Sequence, residues 1–192
     1  LTLPSTIIRT IKLVVASLRA MSSVNDSRYL YDIQKKMEAM LKYQKPAERD
    51  QKLLQYYIDQ LFTLPCFRTT VVPPPGFGIF ARYVRELHIP IPGYPYNMKM
   101  RLTGPRGSTI KRMEDFCQCS INVHPVKYDH VIVYIACVDY INVSRWKVDL
   151  AEKCIMEILR IPANGRDVVY QMQMAELAVR NGTYESRMMY FH

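Results

Sequence analysis

Apolar positions along this chain recur first at helical spacing and then, beyond a proline-rich stretch, with the alternation of strands. Ile7, Ile8, Ile11, Val14, Val15 and Leu18 share one face of residues 3–20, Arg9, Lys12 and Arg19 lie elsewhere, and Pro4 suits the first turn, so an amphipathic helix is expected. Its longest uncharged stretch, Leu13–Leu18, is far short of the roughly 20 apolar residues that span a bilayer. Such a helix packs on this protein or on a partner protein, although the lack of acids before Asp26 also fits a transit peptide or a surface-seeking helix. Residues 26–63 read as a helical hairpin. Asp26 or Ser27 caps a first helix with the stripe Leu30, Ile33, Met37, Met40 and Leu41, Pro46 interrupts, and a second helix carries Leu53, Leu54, Tyr57, Ile58, Leu61 and Phe62. Two helices cannot cover both stripes, so the hairpin either self-associates or docks on the second half of the chain.

Pro65, the run Val71-Val72-Pro73-Pro74-Pro75-Gly76 and Gly78 predict an extended linker rather than a third helix; a ligand for aromatic-lined modules is the other reading, but the stretch lacks a convincing pattern of flanking charge. From Tyr83 the pattern becomes mixed. Strands are expected over Val84–Ile91, Ser120–His124 and Val131–Val138. A long helix runs through Trp146, Leu150, Cys154, Ile155, Ile158 and Leu159, and a last amphipathic helix, Val168–Arg180, ends at Asn181-Gly182.

Between the first two strands lies the most informative run of the chain, from Asn97 to Arg112. It carries the cations Lys99, Arg101, Arg106, Lys111 and Arg112 and no acid, around the turn Gly104-Pro105-Arg106-Gly107. Glycines at that spacing let backbone amides approach an anionic chain, which is how KH domains clamp nucleotides. Leu102 before the turn and Ile110, Met113 and Phe116 after it recur at helical spacing. A phosphate-binding P-loop requires Lys before Ser or Thr after the second glycine, whereas here Gly107 leads directly into Ser108-Thr109. The order strand, helix, turn, helix, strand, strand, helix is that of a type I KH domain. The fold class expected is therefore α+β, a three-stranded antiparallel sheet with three helices, flanked by the hairpin and a C-terminal helix. The expected divisions are 1–25, 26–64, 65–82, 83–162 and 163–192.

A net charge of +9 and a pI near 9.3 over 192 residues favour a polyanionic partner, RNA or an anionic membrane surface. Cys66, Cys117, Cys119, Cys137 and Cys154 are scattered, as a reducing compartment permits, so cytoplasm or nucleus is expected. Cys117 and Cys119 lack zinc spacing and read as core residues. His88, His124, His130 and His192 do not cluster, so no catalytic, metal or cofactor site is expected. Asn142-Val143-Ser144 and Asn181-Gly182-Thr183 would matter only in a secreted protein. The numbering opens at Leu1 rather than Met, as in a piece of a longer chain.

Residues 26–187 resemble the STAR family of RNA-binding proteins, which includes quaking and held-out-wings. The resemblance rests on Tyr94-Pro95, on Asn97 leading into Arg101–Arg112, and on the tail Gln173-Met174-Ala175-Glu176-Leu177-Ala178-Val179-Arg180-Asn181-Gly182-Thr183-Tyr184. It implies that single-stranded RNA is held at Gly104, Pro105, Arg106 and Gly107, with Arg101, Lys111 and Arg112 adding attraction. A base groove would be floored by Leu102, Ile121 and Val123 and flanked by Asn97. Gln173, Leu177, Ala178 and Arg180 would extend the surface. The hairpin would form a dimer through Tyr29, Leu30, Ile33, Met37, Leu53, Leu54, Tyr57, Ile58 and Leu61, and the function implied is regulation of messenger RNA translation, stability or splicing, without enzymatic activity.

The departures matter as much. Met100 stands where the family has glycine, Pro125–His130 replaces a long basic loop, and Tyr170, Gln171 and Glu185 stand at basic positions. Each lost phosphate contact lowers the salt slope by about one unit. The alternative is a KH-fold protein-interaction adaptor with weakened or lost RNA binding.

Overall fold

The computed structural model describes residues 24–44, 48–124, 129–162 and 167–181. The expected helix at 3–20, most of the turn at 125–130 and the tail from Gly182 lie outside the described residues. The chain divides into two compact units, one drawn from its two ends and the other Cys66–Asp167.

In the first unit, α1 (Val24–Tyr43) and α2 (Gln51–Phe62) form the hairpin. Asp50 caps α2, its carboxylate accepting from the amides of Lys52 at 2.9 Å and Leu53 at 3.1 Å. A third helix, α6 (Val168–Asn181), packs on α2 and buries Met172, Ala175, Glu176 and Val179. Leu30, Ile33, Met37, Leu54, Tyr57, Ile58 and Leu61 are all buried within a single chain, while Tyr29 and Leu53 remain exposed.

The second unit is a three-stranded antiparallel sheet in the order β1-β3-β2, built from β1 (Phe80–Pro90), β2 (Ser120–Val123) and β3 (His130–Tyr140). Helices α3 (Met98–Thr103) and α4 (Ser108–Cys117) connect β1 to β2, and α5 (Ile141–Ile158) follows β3. This is a KH-like α+β fold. Val131, Val133, Ile135 and Cys137 alternate inward along β3 and are buried. Strand β1 begins at Phe80, ahead of the expected Val84. Arg82 and Arg85 interrupt its apolar alternation, but Arg85 faces α5 and pairs with Asp149 and Glu152, each at 2.6 Å. Register runs from Phe80 opposite Tyr140 to Pro90 opposite His130.

Candidate nucleic-acid interface

The turn between α3 and α4 is built by its backbone. Asn97 caps α3, its side chain accepting from the Met100 amide at 3.0 Å, and the Gly104 amide closes the helix on the Met100 carbonyl at 2.8 Å. Gly104 has φ 70°, and a Cβ there would meet Thr109 Oγ1 at 2.0 Å, so both conformation and space demand glycine. Arg106 and Gly107 then adopt φ 52° and 78°, two successive left-handed residues that swing the chain into α4. Nothing lies within 4 Å of a Cβ on Gly107, so that side of the turn is open. The Arg106 side chain is exposed beside it, at the positive end of the α4 dipole.

The structure distributes the expected site residues unevenly. Leu102 and Ile121 are buried, so they form the core beneath the face between α3, α4 and β2, and Val123 is half-exposed at its edge. Lys99 and Lys111 are exposed and Arg112 half-buried. Met100, one turn before Gly104, is 71% exposed.

Arg101 does not join these cations. Its side chain is 5% exposed, its Nε donates to the Ile158 carbonyl at 2.6 Å, and its Nη1 reaches Asp167 at 2.5 Å. The guanidinium also stacks 4.2 Å from the Tyr96 ring centre, and the Tyr96 hydroxyl donates to the Leu159 carbonyl. Burial raises the Tyr96 hydroxyl above its usual pKa. Arg101 therefore ties α3 to the end of α5, a role that spacing alone did not reveal. Gln173, Leu177 and Ala178 are half-buried on α6, within the helical unit. Arg180 there donates to Glu176 and to Gln55, each at 2.9 Å.

Among the described residues, no group of three His, Cys, Asp or Glu is placed to hold a metal ion. No described helix is long and apolar enough to cross a membrane. Cys117 and Cys119 are buried, and burial together with neighbouring Cys137 pushes the Cys119 thiol up to about 12.

Among comparisons with known proteins, no family model matches the chain. The chain is 27% identical over 139 residues to the female germline-specific tumor suppressor gld-1 of Caenorhabditis elegans. The match covers 62% of this chain and 30% of that protein, so the similarity reaches less than a third of the relative's length.

Proposed function

We propose that this chain binds single-stranded RNA across the face beside Gly104–Gly107, as a non-enzymatic regulator of messenger RNA translation, stability or splicing. The observation that carries the reading is the left-handed Arg106-Gly107 pair, which presents an exposed cation on an open turn at the positive end of α4. The KH-like fold, the net charge of +9, the STAR resemblance and the similarity to gld-1 support it. Phosphates lie along Gly104, Pro105, Arg106 and Gly107, with Lys99 and Lys111 as exposed attractors and Arg112 beside them. Bases lie toward Val123 and Met100. Arg101 acts as a positioning residue that fixes α3, and Leu102 and Ile121 shape the face from beneath. Association of chains, or with a partner protein, uses the exposed hairpin side chains Tyr29, Leu53 and Tyr56.

Titration of labelled single-stranded RNA at two salt concentrations tests the reading. Binding at about micromolar Kd or tighter, falling by roughly 0.7 log units per phosphate contact for each tenfold rise in salt, is expected. Replacing Arg106 and Gly107 together by Asp should abolish it while far-UV circular dichroism stays unchanged; binding retained within twofold would overturn the clamp. The second reading, a protein-interaction adaptor, is favoured by exposed Met100 and by the engagement of Arg180 within the helical unit. A weak response with a flat salt dependence would select it.

A further inference from the structure

The proline-rich stretch ahead of β1 is ordered without helix or strand, and its exposure has a period. Val71 is half-buried, Val72 and Pro73 exposed, Pro74 half-buried, Pro75 and Gly76 exposed. A period of three is that of the polyproline helix. Val71 and Pro74, three apart, are turned toward the domain, while Val72, Pro73 and Pro75 face outward.

The segment is tied to the fold at its C-terminal end. Asn142, in the first turn of α5, brackets it: its side-chain amide donates to the Pro75 carbonyl at 2.8 Å, and its Oδ1 accepts from the Phe77 amide at 2.9 Å. The Tyr140 ring lies against Gly76 so closely that a Cβ there would meet the ring at 2.4 Å. Beyond it, the Ile79 carbonyl accepts from the Ile141 amide at 2.9 Å. Val72 is left 80% exposed and Phe77 69% exposed, an apolar ridge of the kind that soluble surfaces seldom leave without purpose.

We propose that residues 71–77 are a docking ligand for a small protein module whose groove is lined by aromatic side chains and reads polyproline helices. The chemistry selects this occupant. No charged residue lies between Arg68 and Arg82, so the ridge offers nothing to a polyanion or an anionic lipid surface. Three consecutive prolines lack N–H groups and so cannot extend a sheet, and carbonyls of a polyproline helix are acceptors for the Trp and Tyr donors of such a groove. Ordering a polyproline ligand in advance removes entropy that binding would otherwise cost. Phe77, close after the prolines, supplies an aromatic anchor.

The test uses the intact chain against purified SH3, WW and EVH1 domains by fluorescence anisotropy, with a synthetic peptide of residues 69–80 as competitor. At least one domain should bind at a Kd of about 100 µM or tighter and be displaced by the peptide. Pro73→Ala with Pro75→Ala, both exposed, should weaken binding about tenfold or more without changing the melting temperature. Asn142→Ala leaves every outward side chain in place, so a loss of about threefold or more reports the value of the prior ordering. Absence of binding across all three domain classes would overturn the proposal, as would binding indifferent to the proline substitutions. Self-association of the chain that those substitutions abolish would also overturn it, assigning the ridge to a second copy. RNA affinity should not change with Pro73→Ala and Pro75→Ala, which keeps this outcome separate from that of the RNA reading.

Discussion

Arg101 and Asp167, 66 positions apart, meet in an ion pair of 2.5 Å whose arginine side chain is 5% exposed. The pair is completed by the Ile158 carbonyl and the Tyr96 ring, so the helix that feeds the glycine turn is anchored to the end of α5. Removing one partner of a buried pair costs more than the pair contributes, because the other charge is left behind. Asp167 keeps some solvent, its side chain being 24% exposed, which moderates that penalty. Arg101→Met is expected to destabilise Cys66–Asp167 by about 2–3 kcal/mol, and Asp167→Asn by less. Urea denaturation gives both values. A change below about 0.5 kcal/mol for Arg101→Met would show that the arginine is a surface cation after all.

The same logic applies to α6. Glu176 is 1% exposed, and Arg180 pairs with it while also donating to Gln55 of α2. Arg180→Met should destabilise the helical unit by about 2–4 kcal/mol by leaving Glu176 buried without that partner. Adding Glu176→Gln to that variant should recover at least half the loss, since a neutral amide costs far less to bury. If the double variant is no more stable than the single one, the two residues are not coupled. A double-mutant cycle read by thermal denaturation decides it.

These two arginines mark the limit of what the sequence made legible. The alternation of Val131, Val133, Ile135 and Cys137, the helical stripes and the glycine turn are local patterns, and the KH-like fold follows from them. The destinations of Arg101 and Arg180 are not local, since a cation beside a basic loop looks the same whether it faces solvent or a carboxylate far along the chain. The first four residues of β1 were hidden because Arg82 breaks the apolar pattern there, and the partners of the next arginine along the strand, Arg85, lie on another element at Asp149 and Glu152. The hairpin stripe was likewise ambiguous, because covering it required knowing that α6 packs on α2.

Stability should decline at both ends of the pH range. Asp139 accepts from Lys147 Nζ at 2.8 Å and from the Tyr140 amide at 2.7 Å, which holds its carboxyl below the usual range. A depressed folded value stabilises above the unfolded value of about 3.9 and loses that contribution as pH falls through the folded value. Cys119 behaves oppositely. Its folded value of about 12 lies above that of an unfolded thiol, so its contribution is complete below the unfolded value and is lost as pH rises toward 12. Melting temperature followed from pH 2 to pH 10 should show a flatter acid limb in Asp139→Asn and a flatter alkaline limb in Cys119→Ala, whatever the offset at neutrality. Parallel curves for variant and parent would refute the assignment.

The two turn glycines should differ in kind. At Gly104, alanine meets both a left-handed φ of 70° and the Thr109 hydroxyl at 2.0 Å, with the Thr109 amide 2.9 Å away. The conformational penalty of about 1–2 kcal/mol is then joined by a clash against backbone that cannot rotate aside. Gly104→Ala is therefore expected to cost about 3 kcal/mol or more. At Gly107 the φ of 78° carries the same conformational penalty, but open space surrounds the new methyl group, so Gly107→Ala should cost about 1–2 kcal/mol. RNA affinity should rank independently of this. Gly107→Ala puts a methyl group on the open side where the proposed phosphate track runs, and it should weaken binding several-fold in a protein that is still folded. Urea denaturation and RNA titration of the two variants separate the effects. Equal stability losses would show that the Thr109 contact relaxes, and unchanged RNA affinity in Gly107→Ala would move the phosphates away from that side of the turn.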